Sequence, residues 1–258
     1  MPSDTPKVAR SQSAQRALEA LFVFSSHRPD VTVDEIARGV GMPLATAYRY
    51  VGLMRDLNIV AEGPGGTYHL TPRVLSLAEA VERSKGLLAQ ARPVLHQLMQ
   101  LSNETALLVQ LVGHSAICAD RAEPAHTMRL TYEPGQAVSL QQGASARILI
   151  AGLTREERNA HLSWVEKQTP GFAERRAEFE LEIDRVRQDG WAISHGEIDA
   201  GIVAVAAPVK VRGRTLAALS IAGPAFRVSE EGLTERRTAV VKAAADLSRQ
   251  LAGEPTPA

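Results

Sequence analysis

The chain has 258 residues, 45% of them apolar, with 29 basic side chains balanced by 29 acidic ones. That length suits one large domain or two smaller ones, with enough apolar surface for a buried core. A formal net charge of zero excludes a protein that coats nucleic acid by bulk charge, but leaves room for a local basic face. The single cysteine, Cys118, excludes an intramolecular disulfide. The histidines are scattered without cysteine companions, so no zinc-ligand spacing arises and no metal or cofactor is expected. No apolar run approaches the roughly 18 residues of a membrane span. The polar start "MPSDTPKVARSQSAQ" has no apolar secretion core. The expectation is a cytoplasmic protein with no membrane partner.

The first element in chain order is an amphipathic helix in "SAQRALEALFVFSS", with Ala17, Leu21 and Phe24 on its apolar side. Thr32 and Glu35 then have the T-x-x-E spacing of a capping box, which starts a short helix at Val33 with Ile36, Ala37 and Val40 inward. Gly41 suits a sharp left-handed turn, and Pro43 suits the first turn of a second helix. In that helix Ala47, Tyr50, Val51, Met54 and Leu57 recur at core spacing. Two short helices about a tight turn form the helix-turn-helix pattern, whose second helix enters the DNA major groove. The groove side is Ala45, Thr46, Tyr48 and Arg49, followed by Arg55. Arginine can bond a guanine edge twice, and the hydroxyls can meet bases or phosphates. No acid occurs between Gly41 and Arg55, so this face is locally positive. Next, "NIVAEGPGGTYHLTPR" reads as two strands about the turn Gly63–Gly66, a wing beyond which Arg73 reaches for phosphate. A helical hairpin with ordinary solvated charges is the plainer alternative.

Residues 72–86 form one helical pattern from Pro72 to Gly86, richer in apolar positions (Val74, Leu75, Leu77, Ala78, Val81) than one packed face needs. It serves as a domain-spanning linker, a dimerisation seam, or both. A second helix runs from Leu87 to Ser102. Then "ETALLVQLV", "SAICADRAE" and "HTMRLTYEPGQ" read as strands, and "ASARILIAGL" and "EFELEIDRVRQDG" as helices, with Gly190 ending the latter. Trp191–Ser194, Val203–Val209 and Leu216–Ile221 are strand-like, and "TAVVKAAADLSRQLA" closes the chain as a helix. Helices flanking a mostly antiparallel sheet make an α+β sandwich.

The order "VTVDEIARGVGMPLATAYRYVGLMRDLNIVAEGPGGTYHLTPRVLSL" resembles the winged helix-turn-helix of the IclR family of bacterial transcription regulators. The segments "ARPVLHQLMQLSNETALLVQL", "GWAISHGEIDAGIVAVAAPV" and "AALSIAGPAFRVS" are similar to the same family, so the resemblance covers about residues 10–251. It implies an α+β protein: an N-terminal winged helix-turn-helix joined by a long helix to a C-terminal GAF-like antiparallel-sheet domain. The expected boundaries are a disordered tail 1–9, a DNA-binding domain 10–71, a linker helix 72–86, an effector-binding and oligomerisation domain 87–252, and a disordered tail 253–258. The implied partners are double-stranded operator DNA, a small-molecule effector, and further copies of the chain as a homodimer or dimer of dimers. The implied role is ligand-responsive control of a catabolic operon by a carboxylic acid effector, aromatic acids included.

By the same resemblance Leu130, Ala144, Ser145, Ser194, Ala204, Ser220 and Ala222 line the effector cavity. Ser145, at a helix N-terminus with free N–H groups, is where a carboxylate is favoured. The plain alternative for Ser145 and Ser220 is a bond to the local backbone. The sequence departs from the family pattern at Leu44 in the recognition helix, at Arg147 in a lysine-like position, and at Ala204 and Ala222 where more polar residues are common. Fewer polar groups suggest a less polar or larger ligand than a short keto acid. Arg121 in "CADRAE" is either a carboxylate clamp in the cavity or an ion-pair partner of Glu123.

An enzyme needs a nucleophile, a base and an orienting group. No G-x-S-x-G elbow, P-loop or dinucleotide fingerprint occurs. Ser145, His195 and Asp199 have the chain order of a hydrolase triad, but the expectation is a regulator without catalytic residues. His195, Glu197 and Asp199 read best as a solvated polar loop. Cys118 reads as a small core residue, unless exposure beside Arg121 made it a redox switch. A DNA-binding module with no ligand is the remaining alternative.

Overall fold

The computed structural model describes residues 12–84, 86–125, 132–138 and 140–253. The expected tail 1–9, all but Gly253 of the tail 253–258, the cavity residue Leu130 and the start of "HTMRLTYEPGQ" lie outside the described residues. The chain divides into two compact units, Met1–Ser84 and Lys85–Ala258.

The first unit begins with α1 (Gln12–Glu19) and a 3-10 turn (Ala20–Val23). A short strand β1 (Asp30–Thr32), absent from the sequence reading, leads into α2 (Val33–Val40). The capping box is formed: Thr32 Oγ1 accepts from the Glu35 N–H, and the Glu35 carboxylate accepts from the Thr32 N–H at 2.8 Å. At the far end Gly41 is left-handed at φ 66°, and the Met42 N–H closes back on the Ala37 carbonyl. Pro43 stands just outside α3 (Leu44–Asp56) rather than within it, its carbonyl accepting from Thr46 and Ala47. Ala47, Tyr50, Val51 and Met54 are buried against Ile36, Val31 and Phe24. Leu57 is not part of this stripe: α3 ends at Asp56, Asn58 turns at φ 55°, and Leu57 is left exposed. Strands β2 (Val60–Glu62) and β3 (Thr67–Leu70) form the wing, and β3 lies between β1 and β2 in a three-stranded antiparallel sheet. A 3-10 turn (Pro72–Val74) opens α4 (Leu75–Ser84). Gly86, expected to close this helix, is the first residue of the next one.

The second unit comprises α5 (Gly86–Ser102), β4 (Thr105–Val112), β5 (Ser115–Ala122), β6 (Ala137–Val138), α6 (Ala144–Ala151), α7 (Arg155–Gln168), α8 (Phe172–Asp189), β7 (Ala192–His195), β8 (Ile202–Val211), β9 (Arg214–Pro224) and α9 (Glu230–Ala252). The strands form one antiparallel sheet in the order β6-β5-β4-β9-β8-β7. Pleating sends alternate residues to opposite faces. Leu108 of β4 and Leu219 and Ile221 of β9 pack with α5 and α9 through Leu95, Leu98, Val240 and Leu247. Leu107 and Val109 of β4 and Ala218 and Ala222 of β9 face α6, α7 and α8. Helix α7 was not anticipated, although Thr154 and Glu157 form a second capping box at its start.

Glu104, just ahead of β4, is buried and lies 3.5 Å from both Arg227 and Arg236. Gly223 of β9 lies so close that a methyl group there would overlap the Glu104 carboxyl. Gly223→Ala should therefore displace that carboxylate and destabilise the unit by about 1–3 kcal/mol. Both tryptophans, Trp164 and Trp191, belong to this unit. Their fluorescence during urea unfolding of the full chain should show the lowered midpoint.

Candidate DNA-reading face and effector cavity

On α3 the solvent side carries Ala45, Tyr48, Arg49 and Arg55, all exposed, with Thr46 half-buried beside them. Ala45, Tyr48, Arg49, Gly52 and Arg55 are spaced i, i+3, i+4, i+7 and i+10, so they form one stripe along the helix. The inward Tyr50 is locked by a 3.0 Å bond between its hydroxyl and that of Ser13, and the Arg49 guanidinium rests 5.4 Å from the Tyr50 ring. Gly52 sits mid-stripe with nothing within 4 Å of where a Cβ would stand. Arg73 is exposed in the turn after the wing. The expected DNA-contacting residues thus share the solvent side of the first unit's recognition helix, apart from Arg73 beyond the wing.

In the second unit a cavity lies between the sheet and α6. Its floor is small: Ala204 of β8 and Ser220 and Ala222 of β9 lie beneath Gly143, Ala144, Ser145 and Ala146 at the start of α6. Leu107, Val109, Cys118, Val138 and Ile202 complete the apolar wall, and Ser194 of β7 adds a hydroxyl. Of the eight expected effector contacts, Ala144, Ser145, Ser194, Ala204, Ser220 and Ala222 meet here. The Ser145 Oγ donates to the Ser220 Oγ at 3.1 Å, so the two serines bond each other rather than local backbone. Ser194 is 6% exposed and makes no hydrogen bond to a described residue. The cavity encloses about 50 Å³.

Arg121 takes the ion-pair alternative and not the cavity one. It does not line the cavity. Its Nε lies 3.3 Å from Glu123, its Nη2 is 3.1 Å from Glu133, and its Nη1 donates to the Tyr132 carbonyl at 2.6 Å. The strand carries the guanidinium to these partners, so it clamps no ligand carboxylate. Ser145, His195 and Asp199 do not assemble as a triad: Ser145 bonds Ser220, and exposed His195 is not part of the cavity wall.

Four polar residues on the wall, Tyr132, Gln142, Glu197 and Asp199, were missed as ligand neighbours. Glu197 and Asp199, read as a solvated loop, line the cavity with Ile198 and Tyr132. Glu197 Oε2 accepts from the Gly143 N–H at 2.9 Å, and its two oxygens accept from Arg147 Nη1 at 3.0 and 2.8 Å. Arg147 Nε also donates to Glu182 at 2.9 Å. Burial opposes the Arg147 charge, but the bonds to Glu197 and Glu182 outweigh it and hold its pKa above the usual value. The Tyr132 hydroxyl donates to Asp199 Oδ2 at 3.4 Å; burial, then the Asp199 charge, push its pKa up to about 12. The glycines Gly196 and Gly201 that bracket this loop, with positive φ at 64° and 80°, were the available signal that the chain doubles back over the site.

The IclR C-terminal family model matches residues 79–249, and the IclR helix-turn-helix model matches residues 13–64. The chain is 29% identical to the HTH-type transcriptional regulator KipR of Bacillus subtilis, over 90% of this chain and 94% of that one. A crystal structure of a transcriptional regulator from Rhodococcus sp. RHA1 is 29% identical, covers 94% of this chain and 98% of its own, and superposes with a TM-score of 0.75. An IclR homologue of Microbacterium hydrocarbonoxydans, crystallised with 4-hydroxybenzoate, shares the fold at 21% identity and a TM-score of 0.74, over 94% of this chain and all of its own.

Cys118 is buried on this wall, and burial pushes its thiol up to about 12, with the nearby Arg121 charge opposing. The thiolate is the reactive form. Native protein at pH 8 should therefore resist iodoacetamide, whereas protein in denaturant should take up one equivalent by intact-mass measurement.

Proposed function

Because the chain belongs to the IclR family of bacterial transcriptional regulators, we propose that it binds double-stranded operator DNA through the α3 stripe. We propose further that a small molecule in the second unit's cavity alters that binding. The observation that carries the reading is the stripe itself. A helix of a protein with no net charge turns Tyr48, Arg49 and Arg55 to solvent, with no acid between Gly41 and Arg55. Arg49 reads a base edge, Thr46 and Tyr48 supply hydroxyls, and Arg55 and Arg73 meet phosphates. Gly52 lets the helix approach closely.

A palindromic operator requires paired readers about 34 Å apart, or a multiple of that spacing, hence a homodimer or dimer of dimers. Leu75, Leu77 and Val81 of α4, each exposed, support a seam between copies. The effector acts by population shift, moving the assembly only by the difference in its affinity for two geometries. The regulated genes are proposed to form a catabolic operon. Among the described residues no helix is long and apolar enough to cross a membrane, which is consistent with action in the cytoplasm. The cavity, with an unpartnered hydroxyl in its wall, favours this reading over a module that senses nothing.

The test uses anisotropy of a labelled duplex from the region upstream of the chain's own gene. Arg49→Ala should weaken specific binding by about 1–3 kcal/mol and relax the preference at one base position. Binding equal to the native chain's removes Arg49 as a reader. Gly52→Ala should stabilise α3 by about 0.5–1 kcal/mol while weakening DNA binding. Unchanged DNA affinity in that variant removes the close approach.

A further inference from the structure

We infer that the second unit holds a separate site for a phosphate group, in the groove where the end of α5, the end of β9 and the start of α9 meet. Leu101 and Ile221 line it with apolar surface, and Arg227, Ser229, Glu235 and Arg236 bring its polar groups. The groove lies on the other face of the sheet from the effector cavity. Ile221 of β9 packs toward α5 and α9, whereas its neighbours Ser220 and Ala222 turn to the cavity. No residue of this groove takes part in the cavity or in the α3 stripe.

The donors here outnumber their acceptors. The Arg236 side chain is 10% exposed, and its Nη1 is buried with no hydrogen-bond partner among the described residues. Its Nη2 lies 3.5 Å from one oxygen of Glu104, and Arg227 Nη1 lies 3.5 Å from the other. A committed bond between such groups spans about 2.7–2.9 Å, so one buried carboxylate answers two guanidinium groups loosely. Burial pushes the Arg236 pKa below its usual value, and the opposing Glu104 charge does not restore it. A buried donor is ordinarily satisfied, and an anion in the groove would satisfy this one. Ser229 adds a further donor: its Oγ accepts from the Gly232 N–H at 3.1 Å, which leaves its own proton to give. Donors thus come from α9, from the turn Ala225–Arg227 ahead of it, and from the hydroxyl between them. A planar carboxylate matches one guanidinium edge, whereas the oxygens of a phosphate group can meet all three donors. Glu235, exposed, is the acid on this lining and opposes an anion.

The experiment titrates sodium phosphate, glycerol 2-phosphate and sodium acetate into the full-length chain at constant ionic strength, read by calorimetry. Phosphate should bind saturably, and acetate about tenfold more weakly. Tighter binding of the ester assigns the site to a phosphorylated small molecule, and tighter binding of the free ion assigns it to inorganic phosphate, each through the same group. Arg236→Gln should weaken phosphate about tenfold or more, the scale of a hydrogen bond to a charged group. That change also loosens Glu104, so Glu235→Gln is the second probe. It alters an exposed side chain, should leave the circular dichroism spectrum unchanged, and should tighten phosphate about threefold. Phosphate binding no better than acetate overturns the inference, as does equal phosphate affinity in a folded Arg236→Gln chain. Unchanged affinity in Glu235→Gln also counts against it. None of these results bears on the effector reading of the cavity.

Discussion

A protein interior must be filled to the density of an organic crystal, and a sheet can leave a void only where its own side chains are too short to fill it. That constraint organises the second unit. On the face toward α6, strands β8 and β9 present Ala204, Ala206, Ala218, Ser220 and Ala222, whereas the opposite face offers Val209, Leu219 and Ile221 to α5 and α9. The same two strands therefore seal one side and hollow the other. Alternation of large and small residues along β9 is enough to separate a structural face from a functional one, without any change in backbone.

The polar groups around the hollow follow from its position. A helix that begins over empty space has N–H groups that need partners, and the β7–β8 loop supplies one in Glu197. Arg147, one turn into α6, is then drawn to the same carboxylate and to Glu182 of α8. Two helices and a loop are tied by a single guanidinium that is 13% exposed. Ser145 and Ser220 satisfy each other across the gap, which leaves Ser194 as the hydroxyl without an answer. Each of these facts is a consequence of hydrogen-bond accounting at one helix end.

Local signals in the sequence were read well where the cause is local. The T-x-x-E capping box at Thr32, the left-handed Gly41 and the buried stripe Ala47–Tyr50–Val51–Met54 need no distant partner to be recognised, and all appear as anticipated. An equally local box at Thr154 was passed over because α7 has few apolar positions to mark its face. What failed was long-range. Arg121 and Glu133 meet across twelve positions of chain, and Glu197 reaches Gly143 across more than fifty. Nothing in the spacing of "HGEID" tells that its carboxylates face inward. The alanines and serines of the cavity were identified through the family resemblance, since small residues in a strand look like ordinary core until the opposing helix is placed.

The arginines of the α3 stripe bear on how any duplex would be held. Among the described residues Arg49 and Arg55 lie on that stripe and Arg73 lies beyond the wing, and the total charge of the chain is zero. Each phosphate neutralised frees a condensed counterion, and log affinity falls with log salt at a slope near −0.9 per contact. A copy with so few contacts displaces few ions. Its grip would weaken only gently as ionic strength rises, and it would linger little on arbitrary sequence, leaving discrimination to shape and hydroxyls rather than to Coulombic adhesion.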